Sequence, residues 1–342
     1  MISISGKKWK ERKINQNSIE KLKQDFSFSD VLSSLIISRN FNKDEIYSID
    51  NEIKLLNIFV KNEDFNIATD IVLKSIKKKE KICILGDYDV DGSASTSLLV
   101  KFFNHISHPH FFYIPDREKD GYGASRKLFE KLILDKPKLI IMVDCGSTSI
   151  DAVNYLNENN IKSVIIDHHQ IERPFPVANI IINPKKNNGY NQYDYLCATA
   201  LTYFFIDILS KKIGSKFYIR EFLMYVLLAT VCDVMPIRKL NRVIALNAFK
   251  EFDINKNNLF KEIFKIKEKK SKLSMNDLGY LIGPILNAGG RLGKSNYATN
   301  LLSSNNINII TKKSYELIEL NEKRKKIEEK ILNEIDFNKI EN

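Results

Sequence analysis

The chain has 342 residues, 44% hydrophobic and 28% charged, proportions of an ordinary globular protein that exclude a mainly disordered one. This length predicts about two domains, or one with appendages; no apolar run reaches the roughly 18 residues that cross a bilayer and the start lacks a signal-peptide core, so a cytoplasmic location and no membrane partner are expected. Lys and Arg number 53 against 42 Asp and Glu, a net charge of +11, which suits a polyanionic partner such as nucleic acid and is equally what a Lys- and Asn-rich composition gives.

Residues 1–65 read as short helices, with apolar residues at helical spacing in SIEKLKQDF and FSDVLSSLIISRNF and Ser or Asp near each start. In 65–79, Ile67, Ile71, Val72 and Ile76 share one face of a helix that leads into the first strand. Strand and helix then alternate from about 81 to 185: KICIL precedes SASTSLLVKFFNHI, HFFYI precedes SRKLFEKLI, KLIIMV precedes SIDAVNYLNENN, and SVIIDHH runs into a loop with prolines. Short, continuously apolar strands separated by helical stretches predict an α/β fold, a parallel sheet flanked by helices. Beyond it the chain reads as helical, ending in a long charged helix over 316–335 with Leu317, Leu320, Ile327 and Ile331 as a thin apolar stripe. The expected organisation is a helical N-terminal segment at 1–65, a central domain at 66–310 that carries the sheet, and a connecting helix and tail at 311–342.

Ligands of parallel sheets bind beyond the carboxyl ends of the strands. Three consecutive strands each end in acid: the first in Asp87, Asp89 and Asp91, the next in Asp144, the last in Asp167 with His168 and His169. Asp233 follows a further apolar stretch, with Pro236 marking the turn. Any one of these has a plain alternative as a turn, a cap or a satisfied core group, but together they form a cluster of like charge that needs a cation. Carboxylates with imidazole and no thiolate suit Mn²⁺ or Mg²⁺, and so many acids suit two ions about 4 Å apart. The four cysteines, Cys83, Cys145, Cys197 and Cys232, stand far apart without a C-x-x-C pair and read as small buried hydrophobes.

GDYDVDGSAST, VDCGST, DHHQ and CDVMP resemble, in order, the four motifs of the DHH phosphoesterase superfamily. Within it IPDREKDGYG (114–123), LNR (240–242), LNAGGRLGKS (286–295) and LNEKRKKIEE (320–329) are similar to the RecJ family of single-stranded-DNA-specific exonucleases. The resemblance implies metal-dependent phosphodiester hydrolysis, 5′ to 3′ on single-stranded DNA in repair and recombination, with two divalent cations, Mn²⁺ or Mg²⁺. It implies Asp89, Asp91, Asp144, His168 and Asp233 as metal ligands with Asp87 beside them, and Asp144 as the bridging carboxylate. It further implies His169 as a group of the ligand shell or a phosphate contact, and Asp167 as a residue that orients a histidine. Arg117, Gly121 and Tyr122, and Asn287 with Arg291, would meet the substrate; a plain turn and a helix-packing glycine pair are the simpler accounts of those two segments. The expected partners are single-stranded DNA rather than RNA, a single-strand-binding protein, or a separate chain supplying the DHHA1 domain, since the sequence stops at ILNEIDFNKIEN without that domain's glycine-rich motif or an oligonucleotide-binding fold. A DHH hydrolase of short oligonucleotides or cyclic dinucleotides, and a non-catalytic replication scaffold, are the alternatives.

Overall fold

The strands form because runs of Ile, Val, Leu, Phe and Met sit between turn residues, and they pair because both faces of the resulting sheet are covered. The computed structural model describes residues 2–4, 6–8, 10, 12–50, 53–117, 119–121, 123–186 and 189–334. These fall into two compact units, one drawn from Met1–Lys54 with Arg238–Val243, the other from Leu55–Ile237 with Ile244–Asn342.

The first unit holds α1 (Gln16–Phe26), α2 (Asp30–Ser38) and α3 (Lys43–Asp50). Side chains of Asn15 and Ser29 cap α1 and α2 by accepting from the amides of Asn17 and Leu32. Leu22, Phe28 and Ile36 form its small core. The Arg238 guanidinium donates to the buried Glu45 carboxylate at 2.7 Å and holds it below the ordinary carboxylate range.

The second unit contains a five-stranded parallel sheet of order β2-β1-β3-β4-β5, with β1 (Ile82–Leu85), β2 (His110–Tyr113), β3 (Leu139–Val143), β4 (Lys162–Ile166) and β5 (Ile180–Ile182). Its helices are α4 (Glu63–Lys77), α5 (Val90–His105), α6 (Arg126–Leu132), α7 (Ile150–Glu158), α8 (Ala198–Ile213), α9 (Leu223–Cys232), most of α10 (Lys239–Glu251), α11 (Asn258–Ile266), α12 (Met275–Asp277), α13 (Gly283–Arg291), α14 (Tyr297–Ser303) and α15 (Ile307–Glu334). Alternate strand residues point to opposite faces. Cys83, Leu85, Ile140, Met142, Ile165 and Ile181 therefore share one face, packed on Leu128 and Phe129 of α6 and Val153 and Leu156 of α7. The other face lies against α4, α5 and α8. That double burial explains the unbroken apolar runs.

The expected α/β sheet flanked by helices is what forms, with three corrections. The acid-bearing strands β1, β3 and β4 are consecutive in space, not along the chain, because β2 intervenes and goes to the sheet edge. The stretch after SVIIDHH is not only loop: Ile180–Ile182 forms β5, a run too short for periodicity to separate from the surrounding prolines. The long charged helix starts at Ile307, nine positions before the expected 316. Its first half buries Ile310, Leu317 and Ile318, while Ile327 and Ile331 are exposed. Among the described residues no helix is long and apolar enough to cross a membrane.

Candidate metal centre

In this strand order the chain leaves β1 toward β2 on one side and later returns to build β3 on the other, which opens a crevice beyond the carboxyl ends of β1 and β3. The β1–α5 turn that enters it is compressed. A Cβ on Gly86 would lie 2.0 Å from Thr96 Oγ1, and one on Gly92 2.5 Å from the Asp87 carbonyl oxygen, so only glycine lets the loop close over the helix. Asp89 is the N-cap of α5 and accepts from the Gly92 amide at 2.9 Å. Asp91 sits in the first helical turn, where the helix dipole favours negative charge.

Asp91 is 1% exposed and fully engaged: the Ala198 amide donates to Oδ2 at 2.7 Å, and the Thr199 amide and hydroxyl donate to Oδ1 at 2.8 and 2.6 Å. It thereby caps α8, a role sequence spacing does not signal because the partners lie 107 and 108 residues away. Asp144 ends β3 in a left-handed conformation, φ 59°, which Asp tolerates better than most residues. The turn continues through Gly146 and places the Ser147 amide 3.1 Å from Asp167 Oδ2.

Asp167 Oδ1 accepts from the His168 amide at 2.8 Å, the His169 amide at 3.2 Å and His169 Nδ1 at 2.8 Å. Burial works against its ionised form, yet the His169 bonds and the Ser147 donor hold its carboxyl well below the ordinary range. The same bond raises His169 to about 9. Asn183 fixes this corner, donating to Ser147 Oγ at 2.8 Å and to the His169 carbonyl at 3.0 Å. Neither Ser147 nor Asn183 was legible in the sequence as part of the site.

His168 is the focus. Its Nε2 lies 3.3 Å from Asp144 Oδ1, 3.5 Å from Asp91 Oδ2 and 3.5 Å from Asp233 Oδ2, Asp233 arriving from the end of α9. Both nitrogens of His168 and both oxygens of Asp144 are buried without a hydrogen-bond partner. Four orphaned polar atoms in one place would cost several kcal/mol if nothing met them. The separations are close to the roughly 3 Å edge of an octahedron built on bonds of about 2.1 Å to a divalent cation.

Three overlapping groups have the spacing of metal ligands: Asp144 with His168 and His169, Asp91 with His168 and Asp233, and Asp87 with Asp89 and Asp144. Burial and the charge of Asp89 raise Asp87 to about 7; burial and Asp91 raise Asp233 to about 6. Burial and neighbouring carboxylates also raise Asp89, and raise Asp144 well above its ordinary value. Raised carboxyls of this kind mark a place where a divalent cation would be strongly stabilised. Thiols do not contribute: burial pushes Cys232, next to Asp233, up to about 12, and it faces the Leu278 carbonyl.

The residues expected to meet substrate are only partly gathered. Arg117 is exposed, its guanidinium carbon 5.2 Å from the Tyr88 ring centroid, and Arg291 at the end of α13 acts electrostatically on the same tyrosine. Tyr88, between Asp87 and Asp89, is the residue that joins these arginines to the site, and its ring packs so near Gly290 that a Cβ there would lie 2.3 Å away. The glycines of NAGGR thus serve helix packing. Asn287 is half-buried with its Oδ1 unpartnered. Gly121 turns the chain at φ 82° with open space around it, and Tyr122 lies outside the described residues. Beside His169 opens a cleft of about 880 Å³ lined by Ser125, Arg126 and the Ser147–Ser149 turn.

The chain is similar to known proteins in sequence and in fold. Residues 81–230 match the DHH family, N-terminal domain. The single-stranded-DNA-specific exonuclease RecJ of Bacillus subtilis is 26% identical over 333 residues, 96% of this chain and 42% of that protein. RecJ of Haemophilus influenzae is 29% identical over 274 residues, 76% of this chain and 47% of that protein. The chain thus spans about half the length of the curated relatives it matches, or less. The crystal structure of RecJ in complex with Mn²⁺ from Thermus thermophilus superposes with a TM-score of 0.79 at 19% identity, covering 94% of this chain and 46% of that one, and shares its fold.

Proposed function

From a DHH-family domain at residues 81–230, in a chain homologous to the RecJ exonucleases, we infer that the protein hydrolyses phosphodiester bonds of single-stranded DNA from the 5′ end, using two divalent cations, Mn²⁺ or Mg²⁺. The observation that carries this reading is the orphaned quartet of buried atoms on Asp144 and His168, set among Asp87, Asp89, Asp91 and Asp233. In this reading one ion would be held on the Asp87 and Asp89 side, the other by Asp91, His168 and Asp233. Asp144 would serve both, since it shares one ligand-spaced group with Asp87 and Asp89 and another with His168 and His169. Bound there, such ions supply positive charge to phosphate oxygens and make water acidic enough to attack near neutral pH.

The chain's own groups do the positioning. Asp167 fixes His169 through Nδ1 and leaves the rest of the half-exposed ring to the cleft, where it contacts a phosphate or donates a proton to the leaving oxygen. Arg117 and Arg291 act on Tyr88 and meet the next phosphates as bidentate fork donors. Asp91 ties the N-terminus of α8 to the first turn of α5, which fixes its carboxylate within the cluster.

The test is to incubate the chain with Mn²⁺ and with 5′- or 3′-labelled single-stranded DNA, beside dinucleotides, with the Asp144→Asn variant as control. Mononucleotide release from the 5′ end that vanishes in the variant is expected. Hydrolysis of dinucleotides alone would replace this reading with that of a short-oligonucleotide hydrolase, and no hydrolysis despite metal binding would reject catalysis by this chain.

A further inference from the structure

On the second unit, α10, α11 and the loop after α11 enclose a surface cleft of about 700 Å³ that shares no residue with the metal centre. It follows from the amphipathic sequence of α11, where Leu259, Phe260, Ile263 and Phe264 turn inward and Lys261 and Lys265 stand out. The following KEKKSKL loop adds Lys269, Lys270 and Lys272 to the same cleft. Among the described residues Asp253 is the one acid that lines it against these five lysines, whereas the whole chain has 53 basic to 42 acidic residues, so the local excess is not the chain's average.

Here Lys265 lies 3.8 Å from Glu262 and Lys269 3.0 Å from Asp277, but the side chains of Lys261, Lys270 and Lys272 have no ion-pair or hydrogen-bond partner among the described residues. Gathered ammonium groups repel unless a polyanion lies among them. Between them Phe249 and Phe252 are half-buried in the cleft, an apolar surface on which a base can stack. Lysines alone would suit any polyanion; lysines around the accessible parts of two half-buried aromatic rings suit a strand whose bases are free, since a duplex hides them. One wall of the cleft, α11, is tied to α15 by Lys267 with Glu322 at 3.0 Å and by Thr311, which donates to Glu262 at 3.2 Å.

We propose that this cleft is a second binding site for single-stranded polynucleotide, one that holds the strand away from the nucleotides being cut and takes no part in chemistry. The proposal rests on the nucleic-acid reading above, but its test does not require turnover. In EDTA, binding of a fluorescent thirty-nucleotide oligo(dT) to the full chain is compared with binding to a Lys261→Gln, Lys270→Gln, Lys272→Gln variant. A control variant carries Lys77→Gln, Lys78→Gln and Lys79→Gln, which removes the same charge from other exposed positions.

The cleft variant is expected to bind about tenfold more weakly at low salt and to lose about 2 from the slope of log K against log salt, roughly 0.7 per lost phosphate contact. The control is expected to stay within about twofold, and dinucleotide hydrolysis in Mn²⁺ to be unchanged in both. Equal loss in the two variants, or no loss in either, overturns the proposal. So does a defect confined to phosphatidylserine vesicles, which would mark a membrane surface instead. Weaker oligonucleotide binding in the cleft variant of a chain that hydrolyses no DNA would support the cleft and sink only the nuclease reading.

Discussion

Asp144 and Asp91 are both 1% exposed acids of one cluster, yet their surroundings give them opposite effects on stability. Asp144 has neither oxygen satisfied, so in the metal-free chain its charge is a cost, and Asp144→Asn keeps both the shape and the left-handed backbone. That variant is expected to melt at or above the parent temperature in EDTA, to lose the rise in melting temperature that Mn²⁺ gives the parent, and to hydrolyse DNA at least about a thousandfold more slowly. Asp91→Ala instead strands the amides of Ala198 and Thr199 and is expected to cost about 1–3 kcal/mol in denaturant unfolding even without metal. If the two variants shift stability in the same direction, this division of labour is wrong. The sequence made the acids visible by putting them after strands, and could not show which of them is spent on a helix end, because that pairing spans over a hundred residues.

At the scale of elements, the site depends on how α5 meets β1. Gly92→Ala places a methyl carbon 2.5 Å from the backbone of Asp87, where no flexible side chain can yield. The loop must move, at an expected cost of about 1–3 kcal/mol, and Mn²⁺ affinity measured by calorimetry is expected to fall because Asp87 and Asp89 lose their spacing. Unchanged affinity would mean the loop has slack the packing does not reveal. The continuous apolar runs of Ile82–Leu85 and Leu139–Val143 made the buried parallel sheet readable, since only strands covered on both faces have that pattern. Ile180–Ile182 was not readable, being three residues long and bounded by prolines. The start of α15 was also missed: its buried half, around Ile310 and Ser314, lacks the charge pattern that marked the exposed half from about 322 onward.

For the whole molecule, the raised carboxyls set a pH dependence whose sign is fixed. Asp87 titrates at about 7 and Asp233 at about 6 in the folded metal-free chain, against about 3.9 for a free Asp. Folding therefore favours their protonated forms, a contribution fully present below about pH 4 and lost as pH rises through 6 to 7. The metal-free chain is expected to melt at a lower temperature at pH 8 than at pH 5.5, and added Mg²⁺ to raise the melting temperature more at pH 8, because binding at pH 5.5 must first displace protons. A metal-induced rise that is larger at pH 5.5 would show that other groups hold the ion. The excess charge of +11 was legible from composition alone, but the cleft that sets the lysines of 261–272 around Phe249 and Phe252 required the fold. The most direct test of the central claim is anomalous scattering at the manganese edge from crystals of the chain soaked in Mn²⁺. Two peaks about 4 Å apart on either side of the Asp144 carboxylate are predicted; no peak within reach of Asp144 and His168 would contradict the account.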